Sequence, residues 1–144
     1  MTVIKHLFHI NTLKDNVFKA LSTIEGLAGW WTVQTSGECK IGGTIEFRFG
    51  EMGFCSMKVL ESKPSEWIKW ECVAGPPDWI GTTIGFYLDE NDNKTRVRFE
   101  HSGWKEANDF YGACSFAWGR YMESLRQLCQ TGQGEAFGSE GYRQ

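Results

Sequence analysis

The stretch FYGACSFAWGRYMESLRQLC, residues Phe110 to Cys129, decides the fold. Its side chains Phe110, Ala113, Cys114, Ala117, Trp118, Tyr121, Leu125 and Leu128 recur at steps of three and four, which puts them on one face of a helix. At about 1.5 Å of rise per residue such a helix is roughly 30 Å long, enough to cross a small domain. An aromatic stripe of that length needs a broad apolar surface to lie on.

The preceding sequence supplies that surface as strands. From Gly42 onward the apolar period becomes two. Ile45, Phe47 and Phe49 alternate with Glu46 and Arg48, and Cys55, Met57 and Val59 with Ser56 and Lys58. Beyond the Lys63-Pro64-Ser65 turn, Ile68, Trp70 and Cys72 alternate with Lys69 and Glu71, and Gly75-Pro76-Pro77-Asp78 then imposes a rigid loop. Thr82, Ile84, Phe86 and Leu88 form the next inward set. Asn91-Asp92-Asn93 turns the chain, and Thr95, Val97, Phe99 and His101 return opposite Arg96, Arg98 and Glu100. One apolar and one polar face per strand predicts an antiparallel sheet wet on one side.

Upstream, Val3 to Ile10 reads as a half-buried first strand with Ile4, His6, Phe8 and Ile10 inward. Thr12, followed three residues later by Asp15, resembles a capping box and starts a short helix through Leu13, Val17, Phe18 and Leu21. Gly26 and Gly29 limit the next segment, Ile24 to Trp31, to one or two helical turns. Gly132 is placed to stop the closing helix in left-handed backbone, and the polar segment from there to Gln144 reads as loosely held. The pattern is α+β, with residues 1–134 as a single domain and 135–144 as a polar C-terminal tail.

Composition removes several classes of function. A chain of 144 residues with 41% hydrophobic content can bury one core without disulfides or metal. Its net charge of -3, with Lys and Arg scattered, leaves no basic stripe to neutralise phosphates, so nucleic acid is not an expected partner. Cys39, Cys55, Cys72, Cys114 and Cys129 are odd in number and show no C-x-x-C spacing, which fits reduced, buried thiols rather than a disulfide framework or a zinc knuckle. No stretch approaches the roughly 20 apolar residues of a membrane span. The N-terminus lacks the basic-then-apolar pattern of a secretory signal, and the expected compartment is the cytoplasm.

The order strand, two helices, meander of strands and long C-terminal helix resembles the helix-grip fold of the START, polyketide-cyclase and birch-pollen-allergen (SRPBCC) superfamily. Within it, the chain is most similar to the family related to the C-terminal domain of the activator of heat shock protein 90 ATPase. The residues carrying this are Trp30-Trp31-Thr32 after the helical pair, Gly42-Gly43 before Ile45 and Phe47, and the ending Trp118, Tyr121, Leu125, Leu128, Gly132, Gly134. The resemblance runs from Val3 to about Gly134. It implies a curved antiparallel sheet wrapped around the C-terminal helix, with two short helices after the first strand.

It also implies a cavity. A strongly bent sheet cannot touch a straight helix along its full length, and aromatics line what they do not fill. Candidate ligand-binding residues are Trp30, Trp31, Phe47, Met57, Trp70, Phe86, Phe99, His101, Phe110, Cys114 and Trp118. Trp118 and Phe110 are the leading contacts, with Leu125 and Leu128 as anchors. The same residues serve equally as plain core, the usual fate of aromatic stripes at these periods. The leading expectation is a protein that binds a small hydrophobic molecule between sheet and helix, with no cofactor and no metal.

Two other readings follow from the same residues. One is a polyketide-cyclase-like or hydrolytic enzyme using His101 with an acid such as Glu61. The other is an interaction module acting on a chaperone, heat shock protein 90, through the exposed sheet face and Trp79 beside Pro76-Pro77. A homodimer is compatible with each. Conventional catalytic motifs are absent, with no G-x-S-x-G, phosphate loop, G-x-G-x-x-G or H-E-x-x-H. Cys114-Ser115 lies within the apolar helix without a neighbouring base, as inert buried groups do. His6 and His9, three apart on a strand, point to opposite faces and make no metal pair. Asp89, Asn91, Asn93 and Glu100 fall at calcium-loop positions, but Lys94 stands where that loop needs Gly, so a hairpin turn accounts for them better.

Overall fold

Residues 2–143 are described by a computed structural model. Strands β1 (Thr2–Ile10), β2 (Gln34–Gly37), β3 (Thr44–Arg48), β4 (Phe54–Lys63), β5 (Trp67–Ala74), β6 (Thr83–Asn91) and β7 (Lys94–Trp104) form one curved antiparallel sheet in the order β1-β7-β6-β5-β4-β3-β2. β1 and β2 are consecutive in the chain yet sit at opposite edges. Helices α1 (Lys14–Ser22) and α2 (Ile24–Trp30) therefore have to cross the sheet. Six strand spacings amount to about 29 Å on a flat sheet, whereas helices of 9 and 7 residues supply about 24 Å of axis. The seven non-helical residues between β1 and β2 make up the difference, so the helical pair reaches from one edge to the other. Register irregularities in β4, at Ser56/Met57 and Val59/Glu61, are the kind of bulge that bends a strand.

Register aligns the inward residues into bands across the sheet. Phe47 lies opposite Cys55, Ile45 opposite Met57, and Met57 opposite Cys72. Trp70 pairs with Ile84, Ile68 with Phe86, Phe86 with Phe99 and Ile84 with His101. All of these are buried, as the period-two reading predicts. At the β6–β7 hairpin, Asp92 and Asn93 both adopt left-handed backbone, φ 59° and 61°, the signature of a two-residue type I′ turn. Asp89 faces Arg96 and Arg98 there, and Asn91 bonds His9.

Helix α3 (Asp109–Thr131) is the closing helix. The Asn108 side chain caps its start by accepting the Tyr111 N–H at 2.9 Å. Gly132, φ 86°, ends it in left-handed backbone and donates its N–H to the Leu128 carbonyl. The buried face is Cys114, Trp118, Met122, Ser124 and Leu125. The sequence-based stripe is thus right at its centre and off at its start, because Ala113 is exposed and Phe110 is 39% exposed, near the sheet's end.

Three further expectations are corrected. The cap of α1 is Leu13, without a side-chain bond; the Thr12 hydroxyl instead accepts from the Asn16 amide. β2, a short polar edge strand, is absent from the sequence reading. The chain after Gly132, expected to be loosely held, is docked. The Phe137 carbonyl accepts from the Val33 N–H at 3.0 Å, the Phe137 N–H donates to the Trp31 carbonyl at 2.9 Å, and Ala136 is buried. Ser124 clamps both ends of this contact. Its hydroxyl donates to the Trp30 carbonyl at 2.8 Å and accepts the Glu135 N–H at 2.7 Å.

Candidate functional site

The space between sheet and α3 is occupied by the very residues expected to line it. Trp31 is the hub, because α2 ends there and delivers its ring over the middle of the sheet. Its ring lies 4.1 Å from Phe47, 4.9 Å from Trp118 and 6.3 Å from Trp70, centroid to centroid. Trp30 packs on Phe86, and Phe99 on both Phe86 and Trp118. Trp30, Trp31, Phe47, Met57, Trp70, Phe86, Phe99, His101, Cys114 and Trp118 are all buried. Nine of the eleven candidate residues stand together as one packed apolar cluster, His101 joins it edge-on to Trp118, and Phe110 lies at its margin against Trp104. Spacings of this size are ordinary aromatic contact, which leaves the centre filled.

His101 is fixed within the cluster by a chain of hydrogen bonds that also assigns its protons. Trp118 Nε1 can only donate, so His101 Nδ1, at 3.1 Å, must be the acceptor. Nε2 then carries the hydrogen and donates to Thr82 Oγ1 at 2.8 Å, and the Thr82 hydroxyl donates to the Trp79 carbonyl at 2.6 Å. Burial without a counter-charge lowers the His101 pKa to about 3. Its lone pair is taken up, which is unlike a general base. Glu61, the proposed acid partner, is exposed and accepts from the Trp67 indole. The two groups suggested for catalysis are not brought together.

Trp79 overturns another expectation. Read as an exposed contact on the Pro76-Pro77 loop, it is only 9% exposed, stacks on Trp31 and Trp118, and meets His101 edge-on. Its indole N–H lies beside the Cys114 thiol without a regular hydrogen bond, and the indoles of Trp70 and Trp104 also lack acceptors. The buried thiols carry no activating charge. Burial raises Cys55 well above its ordinary value and raises Cys72 and Cys129 to about 11, so all three stay protonated and unreactive near neutrality. Among the described residues no group of three or more His, Cys, Asp and Glu side chains is placed to hold a metal.

Open space lies instead on the flank of α3. A groove of about 450 Å³ runs between the helix and the docked tail, lined by Phe116, Ala117, Arg120, Tyr121, Glu123, Glu135, Tyr142 and Arg143. That is within the roughly 300–1,000 Å³ typical of small-molecule sites. Tyr121 joins it to the core, with its ring 6.4 Å from both Trp31 and Trp118. Burial raises the Tyr121 hydroxyl's pKa, and the Tyr142 hydroxyl sits beside it. The far wall is held by Phe137, which packs on Phe49 and Tyr142. Of the groove's lining, sequence reasoning had only Ala117 and Tyr121, and those as core. Glu135, Tyr142 and Arg143 lie in the segment read as a loose tail.

The fold and interior define the class as a helix-grip domain of the SRPBCC type. The pattern that defines the family described as Activator of Hsp90 ATPase homolog 1-like protein matches residues 11–130, and the chain belongs to that family. Among solved structures it is similar to the Aha1 dimer from Colwellia psychrerythraea, at 37% identity and TM-score 0.85, covering 93% of this chain and 100% of that one. A protein from Mesorhizobium loti matches at 19% identity and TM-score 0.77, over 88% and 96% of the two chains. CalU16 from Micromonospora echinospora matches at 14% and 0.76, over 97% and 71%. The last two show shared fold alone. No curated protein matches the chain.

Proposed function

We propose that this protein binds a small, largely apolar molecule at the edge of the sheet–helix interior, in the groove between α3 and the docked tail. The observation that carries this reading is the groove itself, a space of ligand size with an aromatic floor at Tyr121 that touches the core. The filled centre argues for the flank over the interior, since deep entry would require the Trp31–Trp118 contact to part. We further propose that the protein works in the cytoplasm, a reducing compartment in which its five free thiols persist.

The test is a thermal-shift and native mass-spectrometry screen with lipids and aromatic metabolites, run on the wild type and on Ala117→Trp, which fills the groove from α3. Binding by the wild type that Ala117→Trp abolishes, with the fold intact by circular dichroism, supports the reading. Binding that survives the substitution, or no binding across the screen, refutes it.

A second reading is favoured by the family description and by the 37% identity to the Aha1 dimer. In it the chain acts on Hsp90 as a regulator of its ATPase, as a homodimer. Addition of the protein to Hsp90 measures the first part and sedimentation velocity the second. Unchanged ATP turnover and a monomeric species remove both.

A further inference from the structure

From the groove just described, and resting on that reading, we infer that the ligand is an apolar monocarboxylate whose head group is taken by Arg120. Three observations lead there. First, the groove's charges are not equally engaged. Glu123 accepts from Arg126 and from Gln127, the latter at 2.7 Å, and Glu135 is paired with Arg143 at 2.9 Å. Among the described residues Arg120 makes no ion pair or hydrogen bond, and its Nε is buried without an acceptor. Among the described residues both groove carboxylates are thus paired with other cations, and the charge left over is that of Arg120.

Second, Arg120 is held in place. Its guanidinium lies 4.8 Å from the centroid of the Phe116 ring, four residues earlier on α3. Residues four apart are neighbours on a helix surface, so the pair is built into the helix. Phe116 is 67% exposed, so the pair is not covered by core. Arg120 and Phe116 form a ridge with the groove on one side and a shallower depression, bordered by His6, Gly112, Ser115 and Gly119, on the other. This contact anchors the guanidinium at the rim of the groove, with its Nε still without an acceptor.

Third, the remaining wall is apolar or aromatic, namely Ala117, Tyr121, Tyr142 and the Phe116 ring. A guanidinium presents two parallel N–H donors that match the two oxygens of a carboxylate, and such charge-assisted pairs are short and strong. A small turn of the fork brings the Nε–Nη edge to the groove, where a carboxylate bonds both nitrogens and its chain lies along Ala117 and Tyr121. A neutral apolar molecule leaves Arg120 as it is, and a cation meets it with repulsion. The complementary ligand is therefore an anion with one planar head and an apolar body.

Titration calorimetry with decanoate and with decanol separates head from tail. The proteins compared are wild type, Arg120→Met, which keeps the stem packed on Phe116, Arg120→Lys, and Ala117→Trp. We expect decanoate to bind the wild type, Arg120→Met to weaken it by about tenfold or more, Arg120→Lys to recover part of the loss, and decanol to be indifferent to both substitutions. Wild-type affinity for decanoate in Arg120→Met overturns the inference, while loss of both probes in Ala117→Trp still upholds the groove. Binding of both probes untouched by Ala117→Trp overturns the groove and the inference together. So does a failure of decanoate to bind the wild type at about 1 mM while decanol or another neutral probe does.

Discussion

Acidification provides a sharp test of the His101 assignment. In the folded protein the ring is neutral, with Nδ1 accepting from Trp118 and Nε2–H donating to Thr82. Protonating Nδ1 would set two donors against each other in a buried site, and burial holds the pKa at about 3. In the unfolded chain the same ring titrates near its ordinary 6.5. Between these values the unfolded state binds the extra proton and the folded state does not, so stability falls as pH drops. From 6.5 down to pH 5 the gap is about 1.5 units, worth about 2 kcal/mol at 1.36 kcal/mol per unit. For a domain of this size that is roughly 4–8 °C of melting temperature. The assay is urea denaturation at pH 7 and pH 5 of the wild type and His101→Gln. His6, His9 and every carboxylate are common to both proteins and cancel. The wild type should lose about 2 kcal/mol more than the variant over this interval. Equal losses would refute the tautomer and burial argument, as would a His101 Cε1 resonance that titrates near pH 6 in the folded wild type.

Other substitutions test the packing. Ser124→Ala removes the bridge between the Trp30 carbonyl and the Glu135 N–H. It should cost about 1–3 kcal/mol in chemical denaturation and speed proteolysis after Gly132. Thr82→Val deletes the acceptor for His101 Nε2–H and should cost a similar 1–3 kcal/mol or so, without changing the fold by circular dichroism. Met57→Ala, at a position with no exposed surface opposite Cys72, should cost about 2–5 kcal/mol by emptying the core. Gly26→Val should be among the most damaging, because any Cβ there meets the Ala20 backbone at 2.6 Å. Melting curves check both.

The sheet was legible because its physics is local. Each of Ile45, Phe47, Met57, Trp70, Phe86 and Phe99 faces inward for reasons visible within five residues of chain. β2 was not, because QTSG is a polar edge strand that pairs only with β3 and has one half-buried side chain, Thr35. The tail was illegible for a related reason. Its docking rests on main-chain bonds between Phe137 and both Trp31 and Val33, and a backbone group leaves no mark on composition. Trp79 was misplaced because a Pro76-Pro77 loop reads as surface, while the contacts that bury it, its stacking on Trp31 and Trp118 and the Thr82–His101 hydrogen bond beside it, depend on three-dimensional closure. Ten of the eleven candidate residues meet in one packed cluster and Phe110 does not, because it sits one turn beyond the helix's buried face. Whether a cluster encloses space depends on sub-ångström fit, and periodicity carries no information about it.

The closing helix divides these outcomes along its own circumference. Cys114, Trp118, Met122 and Leu125 advance by three and four and fill the interior; Phe116 and Arg120 advance by four on another face and stack outside it. As an i,i+4 cation–π pair they support the helix locally, while the 67% exposed Phe116 ring and an Arg120 without an ion pair among the described residues take no part in the core. The inner face needs bulk, and it has two tryptophans beside it that leave no room. The outer flank has room, a cation without a partner among the described residues, and a wall made from a tail the helix itself clamps through Ser124. On the proposed reading, stability and recognition fall to different sides of one element, so substitutions at Arg120 or Phe116 should change decanoate binding while leaving the aromatic core at full strength.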